Sequence, residues 1–346
     1  MRIIDLRSDT VTLPTPEMRQ AMFDAALGDD VFEEDPTAIR LQTVAAARTG
    51  KAAALLVPSG TMANLVAVLT HCGRGDEVIL GDQCHTFRYE AGGIAALGGV
   101  HPFTVRNQPN GDMHLDDVAA AIRPDDVHFP RTRLICLENT HNRCRGAVLT
   151  PDYTASVARL AADNNLALHI DGARIFNAAV ALRCDVRELT RHADSVSFCL
   201  SKGLAAPVGS LICGSEDFIA RARRIRKSLG GGMRQCGVIA AAGLIALEKM
   251  VDRLADDHAN ARRLAEGLAQ IRGLSVDLDS VKTNMVYFNI ATDSLTPDQF
   301  VRQLDQRGVK CLALGTIGFR MVTHYGIEPP DIDRTLQVMR DVMKKS

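Results

Sequence analysis

Short apolar runs alternate with longer amphipathic stretches along the first 230 residues. An apolar run that ends at Gly, Pro or Asp predicts a strand, and apolar residues recurring every three or four positions predict a helix. The predicted strands are Ala53–Val57, Val78–Leu80, Val100–Val105, Leu134–Leu137, Leu166–Ile170, Val196–Leu200 and Ser210–Cys213. The predicted helices are 59–71, Glu90–Leu97, Leu115–Ile122 and Asp152–Asn164. Strands this apolar are buried on both faces, so the pattern predicts an α/β fold with a mainly parallel, seven-stranded sheet between helices.

The pattern changes after the glycine run 230–232. One long helix is predicted over Val238–Ile271, because apolar residues recur there at helical spacing with charges between them. Strands at Met285–Ile290 and Phe319–Thr323 and helices at Pro297–Arg307 and Ile332–Met343 follow. We therefore predict an N-terminal arm over 1–15, a large domain over 16–245 and a smaller α+β domain over 246–346. The boundary near residue 245 is placed to within about five residues.

Composition excludes several classes of function. The formal net charge is −1, with no basic tail or stripe, so no nucleic-acid partner is expected. No apolar stretch of about 18 residues lacks charges, and the N-terminus has no apolar signal segment, so neither membrane insertion nor secretion is expected. The nine cysteines are odd in number and lie in no metal-ligand spacing. We expect buried thiols, a reducing cytoplasmic location and no metal site.

Two residues at the ends of predicted strands suggest a pyridoxal 5′-phosphate (PLP) site. Such a site needs an amine for a Schiff base, a carboxylate at the pyridine nitrogen, a phosphate cradle and a group on the ring face. Lys202, preceded by Ser201, is the candidate amine, although a solvated loop lysine fits the same pattern. Asp171 is the candidate carboxylate, although a helix N-cap is the alternative. Arg174 follows within three residues and is a candidate for the cofactor's phenolic oxygen.

The segment 59–64 supplies the candidate phosphate cradle. A strand turns there through Gly60 and Thr61 into a helix start, where unpaired N–H groups favour an anion. An ordinary capped helix would look the same. The chain has no GxxxxGK[ST] motif and no GxGxxG at a strand–helix turn, which disfavours nucleotide triphosphates and dinucleotides. His85, after a strand, is the candidate ring for stacking on the pyridine, with a hydrogen-bonded loop histidine as the alternative.

Taken together, these motifs resemble the low-specificity L-threonine aldolase family, in the β-eliminating-lyase branch of the PLP enzymes with the aspartate-aminotransferase fold (fold type I). The likeness runs from end to end with its motifs in order. They are DLRSDTVT (5–12), GDDV (28–31), SGTMAN (59–64), ENTHN (138–142), HIDGARI (169–175), LSKGL (200–204), PVGS (207–210), GGGMRQ (230–235) and RMVTH (320–324). Residues 86–89, after His85, depart from the pattern, which leaves the substrate preference encoded there open.

The resemblance implies further roles. Ser8 and Arg320, together with Arg174, would bind the substrate carboxylate, and His128 would lie near the substrate hydroxyl. Lys227 and Arg234 would help to build the cofactor site, plausibly from a neighbouring subunit. Lys202, His85 and His128 are then the candidate catalytic residues.

The resemblance also implies an activity. The chain would cleave L-threonine or L-allo-threonine by a PLP-dependent retro-aldol reaction to glycine and an aldehyde, in threonine catabolism or glycine biosynthesis. Another PLP-dependent β-elimination, racemisation or transamination is the first alternative, and a catalytically silent binding protein is the second. The family implies a homo-oligomer, with a dimer-of-dimers tetramer expected and a small amino acid as the only other partner.

Overall fold

The computed structural model describes residues 2–291, 295–315 and 318–344. Its strands are β1 Ile4–Asp5, β2 Ala53–Val57, β3 Asp76–Gly81, β4 His101–Val105, β5 Arg131–Glu138, β6 Ala167–Asp171, β7 Ser195–Cys199, β8 Ser210–Gly214, β9 Leu274–Ser275, β10 Met285–Ile290, β11 Val309–Lys310, β12 Leu312–Ala313 and β13 Phe319–Val322. Its α-helices are α1 Pro16–Phe23, α2 Pro36–Thr49, α3 Gly60–His71, α4 His85–Arg88, α5 Gly93–Ala96, α6 Leu115–Ala121, α7 Pro151–Asp163, α8 Ile175–Leu182, α9 Val186–Thr190, α10 Glu216–Ser228, α11 Gly237–Lys249, α12 Leu254–Ala269, α13 Pro297–Asp305 and α14 Pro329–Met343.

Local sequence fixes where several helices begin. The side chains of Thr15, Asp35, Thr150 and Thr296 each accept a hydrogen bond from an N–H group of the first turn, and each is followed by proline. Proline has no N–H group to leave unpaired and its fixed φ suits the first helical position, so cap and proline together start a helix at low cost. The same two-residue signal can be read directly from the sequence.

Seven strands of the described ranges form one sheet, in the order β2-β8-β7-β6-β5-β3-β4. The pairs β3–β4, β3–β5, β5–β6 and β6–β7 are parallel, and β8 runs antiparallel to both of its neighbours. The central strand β7 is buried at every residue, as expected for a strand covered on both faces. The prediction of a mainly parallel, seven-stranded sheet is confirmed.

The carboxyl ends of two adjacent strands place the predicted chemistry together. Asp171 is the last residue of β6 and pairs in register with Ser197 of β7. Lys202 follows the end of β7 by three residues. Ligands of open α/β sheets bind beyond the carboxyl ends of the strands, so this edge is the place to look for a site.

A second hydrophobic core lies in the C-terminal part of the chain. It includes Leu264 of α12, Phe288 of β10 and Met339 of α14, and its four-stranded antiparallel sheet has the order β12-β13-β10-β9. Ile4 and Leu6 belong to this core, because β1 pairs in parallel with β11. The segment predicted as an arm therefore packs on the C-terminal unit, while the domain limits themselves remain a prediction.

Two predicted helices are wrong in extent. The single helix expected over Val238–Ile271 is two helices: α11 packs in the first core, whereas α12 begins there with Leu254 and then packs in the second core, from Ala261 onward. The turn between them redirects the chain from one core to the other, and helical spacing on both sides conceals it. The helix expected over Glu90–Leu97 is only α5, because Ala91 and Gly92 have φ of 54° and 65°, which an α-helix does not accommodate.

Among the described residues, no helix combines the length and the apolar character needed to cross a bilayer.

The residue after Asp171 tests how tightly the sheet edge is packed. A Cβ added at Gly172 would lie 2.7 Å from the Ser197 carbonyl oxygen, so Gly172→Ala is expected to lower the free energy of unfolding by about 1–3 kcal/mol. A Cβ at Gly93 would meet only Leu65 at 3.7 Å, which makes Gly93→Ala the matched control, with little expected change. Thermal unfolding of both variants is the measurement. Equal melting temperatures would mean that the backbone behind Asp171 is not constrained in this way.

Candidate active site

A cavity of about 230 Å³ lies at the carboxyl ends of the central strands. It brings together every cofactor residue predicted for this edge. These are Gly60, Thr61, His85, Asp171, Arg174, Ser201 and Lys202. A larger surface depression of about 550 Å³ beside α8 and α9 contains none of the residues predicted for chemistry. The smaller cavity is therefore the candidate active site.

Asp171 is a buried carboxylate with a defined set of donors. Its Oδ2 accepts a hydrogen bond from Asn64 Nδ2 at 2.8 Å, and its Oδ1 accepts one from the Ala173 N–H at 3.1 Å. Asn64 is itself oriented by Ser197, whose hydroxyl donates to the amide oxygen at 2.9 Å. A carboxylate with two N–H donors is held in one orientation and keeps free lone pairs for a further donor. It can therefore hold a protonated ring nitrogen.

The Lys202 amine has no hydrogen-bond or ion-pair partner in residues 2–291, 295–315 and 318–344. Its backbone carbonyl accepts a hydrogen bond from the Thr12 hydroxyl at 3.1 Å, which anchors the loop that carries it. A half-buried amine facing a cavity without a partner is suited to forming a covalent bond with a carbonyl group.

The start of α3 forms an anion cradle. Ser59 caps the helix by accepting from the Met62 N–H, whereas the N–H groups of Gly60 and Thr61 find no acceptor within the described part of the chain. A Cβ at Gly60 would lie 2.8 Å from Cys199 Sγ, so a larger residue would push the helix start away from β7. The unpaired N–H groups and the helix dipole favour an anion at this point.

His85 begins α4 and lies on the cavity wall. Its Nδ1 is 2.8 Å from Glu90 Oε1. Burial alone would lower the pKa of His85, but the hydrogen bond with Glu90 and the negative charge of Asp171 outweigh burial and raise it. Burial, and then the proximity of Asp171, raise the pKa of Glu90.

Arg174 lies in the cavity wall as half of a buried ion pair. Its Nε and Nη2 donate to the two carboxylate oxygens of Asp9, both at 2.6 Å. Asp9 also accepts from Asn284 at 3.3 Å. Burial would raise the pKa of Asp9, yet Arg174 holds it well below its ordinary range. Since Asp9 occupies one edge of the guanidinium group, Nη1 is the nitrogen left to meet a ligand.

The other two residues predicted for the substrate carboxylate do not line the cavity, although Arg320 contacts one residue that does. Arg320 of β13 donates through Nη1 to the Asn142 side-chain oxygen at 2.8 Å, and Asn142 lines the cavity. Arg320 Nη2 donates to the Arg7 carbonyl at 3.1 Å, and its Nε is buried without a partner. Ser8 caps the short 3₁₀ turn 9–11.

Three predicted residues lie away from the cavity of their own chain. His128 is in an exposed turn, where its Nδ1 is 2.7 Å from Asp126 Oδ1. Lys227 is exposed near the end of α10, and Arg234 donates to Asp29 at 3.2 Å. None of the three lines the cavity, so their roles stay predictions.

Sequence reasoning missed several polar residues that hold the site. Asp9, Asn64 and Glu138 lie inside the motifs that carry the family resemblance, so the motifs were a signal for them. Glu138 accepts from the backbone N–H groups of His85 at 2.6 Å and Asn142 at 2.8 Å. Glu90 follows His85 by five residues but lies outside these motifs, so the motifs were no signal for it.

Comparisons with known proteins show the family and the fold. The family model described as Beta-eliminating lyase matches residues 5–291. Low-specificity L-threonine aldolase 1 of Arabidopsis thaliana is 49% identical, over 99% of this chain and 97% of its own length. The structure of Leishmania major threonine aldolase is similar with a TM-score of 0.83 at 18% identity, covering 98% of this chain and 99% of that one. A structure of SPT with PLP is similar with a TM-score of 0.78 at 16% identity, covering 99% of this chain and 88% of that one. Both structures show the fold, and fold type I is confirmed.

The buried ion pair generates a stability prediction. Asp9→Asn removes the charge that compensates Arg174 and is expected to lower the free energy of unfolding by about 3–5 kcal/mol. Asp185→Asn is the matched control, because Asp185 holds Arg187 with the same two-pronged geometry on the surface. Water screens that pair and Asn still caps α9, so little change is expected. Chemical unfolding of both variants is the measurement, and equal losses would contradict a special cost at Asp9.

Proposed function

Because the chain belongs to the beta-eliminating lyase family, and within it to the low-specificity L-threonine aldolases, we propose that it cleaves L-threonine, L-allo-threonine and related β-hydroxy-α-amino acids to glycine and an aldehyde. It is a lyase, and its cofactor is PLP. The observation that carries the proposal is the cavity in which the unpartnered Lys202 amine and the buried Asp171 carboxylate meet.

The chemistry of the donor set fits PLP. Lys202 would hold the aldehyde carbon, Asp171 would face the ring nitrogen, and the N–H groups of Gly60 and Thr61 would receive the phosphate, with Ser201 beside them. His85 is the aromatic ring on the cavity wall that could cover one face of the cofactor. When bound, PLP withdraws electrons from the α-carbon of the substrate.

The arginines would orient the substrate. Arg174 lines the cavity, Arg320 donates to Asn142 in the cavity wall, and Ser8 lies beside Asp9, the partner of Arg174. A carboxylate fixed by these groups sets which bond at the α-carbon stands in the reactive direction, and we propose that it is the Cα–Cβ bond. Orientation of this kind can contribute about 7–11 kcal/mol to lowering a barrier.

His85 is the proposed base for the β-hydroxyl proton, because it lies on the cavity wall and its Nε2 has no partner within the described ranges. As His85 takes that proton, the Cα–Cβ bond breaks, the aldehyde leaves, and the α-carbon takes up a proton to give glycine. His128, which the family places near the hydroxyl, lies in an exposed turn of this chain and could assist only after a movement or from another subunit.

Lys202→Ala is expected to abolish threonine cleavage, because among the described residues no other lysine lines the cavity. His85→Ala should slow it by about 10²–10⁴-fold, the usual contribution of a general base. Product analysis with L-threonine is the measurement, and exposed Lys282 offers a control substitution without expected effect. Glycine and acetaldehyde support the proposal, whereas a 2-oxo acid would favour β-elimination or transamination.

Borohydride treatment and peptide mapping should label residue 202, and an unlabelled Lys202 would overturn the assignment.

A homo-oligomer is proposed on electrostatic grounds. The phosphate of PLP is an anion, but within the part of the chain that the structure describes, the lysine and arginine that line the cavity are Lys202, which would bind the aldehyde, and Arg174, which is paired with Asp9. We propose that Lys227 and Arg234 of a neighbouring subunit supply the missing positive charge, in a dimer that forms half of a tetramer. A cytoplasmic enzyme of threonine catabolism and glycine biosynthesis is the accompanying proposal.

Subunit complementation tests this arrangement. A hybrid dimer of a Lys202→Ala chain and an Arg234→Ala chain contains one intact site if Arg234 acts across the interface. Such a hybrid, purified through two different tags, is expected to recover about half of the wild-type activity. A Lys202→Ala/Asp171→Ala hybrid is the control, because these two residues belong to one site and no intact site can form. Equal activity of the two hybrids would contradict sharing of the site.

A further inference from the structure

Three polar side chains meet on one wall of the cavity. Glu90 Oε1 is 2.8 Å from both His85 Nδ1 and Asn64 Nδ2. The same Asn64 nitrogen donates to Asp171 Oδ2 at 2.8 Å, while Asn64 Oδ1 accepts from the Ser197 hydroxyl. The nitrogen must face the two carboxylates, because it alone can donate to both. Asn64 thus fixes the position of Glu90 relative to Asp171.

The geometry leaves one side of the imidazole accessible. His85 Nδ1 is engaged by Glu90, whereas Nε2 has no partner within the described ranges. His85, Glu90 and Asp171 each offer one nitrogen or oxygen atom, and these three atoms lie within 4.8 Å of one another. A proton on His85 Nδ1 relieves the repulsion between the carboxylates of Glu90 and Asp171. Nε2 then remains a hydrogen-bond acceptor.

The charges that face His85 decide where that proton lies. Glu90 and Asp171 raise the pKa of His85 against the effect of burial, and Lys202 acts in the lowering direction. Glu138 contacts only the His85 backbone N–H. Glu90 Oε1 already accepts a hydrogen bond from Asn64 Nδ2, so this oxygen acts as an acceptor and His85 Nδ1 is the donor.

We infer that Glu90 is a positioning residue, which holds His85 in the tautomer with the proton on Nδ1 and presents Nε2 to the substrate hydroxyl. The inference rests on the proposed function for its role in catalysis. Glu90 acts through His85 and Asn64 acts through Glu90. The arrangement repeats the logic of a histidine base oriented by a carboxylate on its other nitrogen.

Carbethoxylation with diethyl pyrocarbonate measures His85 without turnover. The reagent attacks an unprotonated, accessible imidazole nitrogen, so the pH midpoint of modification, followed by peptide mapping, reports protonation of His85. In the PLP-loaded enzyme and in the cofactor-free chain, this midpoint is expected above the ordinary value of about 6.5. No modification of His85 at any pH in either form would overturn the inference, because Nε2 would then not be an accessible base.

Glu90→Gln keeps an acceptor of the same shape but removes the charge. It is expected to lower the His85 midpoint by about one pH unit, and to move the acid limb of kcat/KM to lower pH in the same direction. Glu90→Asp keeps the charge and should keep the midpoint near that of the wild type, even if shortening the side chain slows the reaction. A purely structural role for Glu90 would leave the midpoint in place in both variants and would contradict the inference.

Asp82→Asn is the matched control. It removes an equal charge three residues from His85, but Asp82 bonds to Asn107 and Gln83 and not to the imidazole. In this variant, the pH midpoint of His85 modification should stay unchanged. A shift as large as that of Glu90→Gln would mean that any nearby negative charge is enough to set the midpoint. If the midpoint depends on Glu90 but threonine is not cleaved, the proposed function fails and the pairing stands. If threonine is cleaved and the midpoint does not depend on Glu90, the inference about Glu90 and His85 fails and the proposed function stands.

Discussion

The buried ion pair between Asp9 and Arg174 is the interaction on which the geometry of the site depends. A guanidinium group as buried as that of Arg174 would cost several kcal/mol without an anion beside it, so Asp9 must be in place for the cavity wall to form. Asp9 lies in a segment whose neighbours Ile4 and Leu6 pack in the second core, and it also accepts from Asn284 at the start of β10. One carboxylate therefore joins the N-terminal segment, the central sheet and the C-terminal unit at the cavity.

This connection explains why the two arginines proposed for the substrate carboxylate can work together. Arg174 is the N-cap of α8, three residues after the end of β6, and Arg320 lies in β13 of the C-terminal sheet. The segment between β1 and α1 contacts both, through Asp9 to Arg174 and through the Arg7 carbonyl to Arg320. A shift of the C-terminal unit would have to move this segment, and with it the partner of Arg174. The distance between the two arginines is thus set by a short stretch of backbone as well as by the packing of the two cores against each other.

Local signals were enough to predict the sheet, the start of α3 and the placement of Lys202 and Asp171. Each depends on a few consecutive residues: an apolar run, a serine–glycine turn, or a polar residue at the end of a strand. Asp9 was not predicted, because its partner Arg174 lies 165 residues away along the chain. Glu90 was not predicted although His85 is only five residues away, because a helix was expected to begin at Glu90 and its other partner, Asn64, lies 26 residues away. The break between α11 and α12 was missed for a related reason, since the helical spacing of apolar residues does not say which core they enter. Tertiary contacts decide each of these features.

Helix α3 sets the distance between the two ends of the site. Its first N–H groups, at Gly60 and Thr61, are free to receive an anion, whereas Asn64, one turn later, donates to Asp171 and Glu90. One turn rises by about 5.4 Å, so the anion-binding end and the acidic end are held at a fixed separation by a single rigid element. A ligand with an anionic group at one end and a cationic ring nitrogen at the other matches both ends of the site at once. A ligand with negative charge at both ends would meet buried carboxylates, which is how this cavity discriminates by charge before any substrate contact is made.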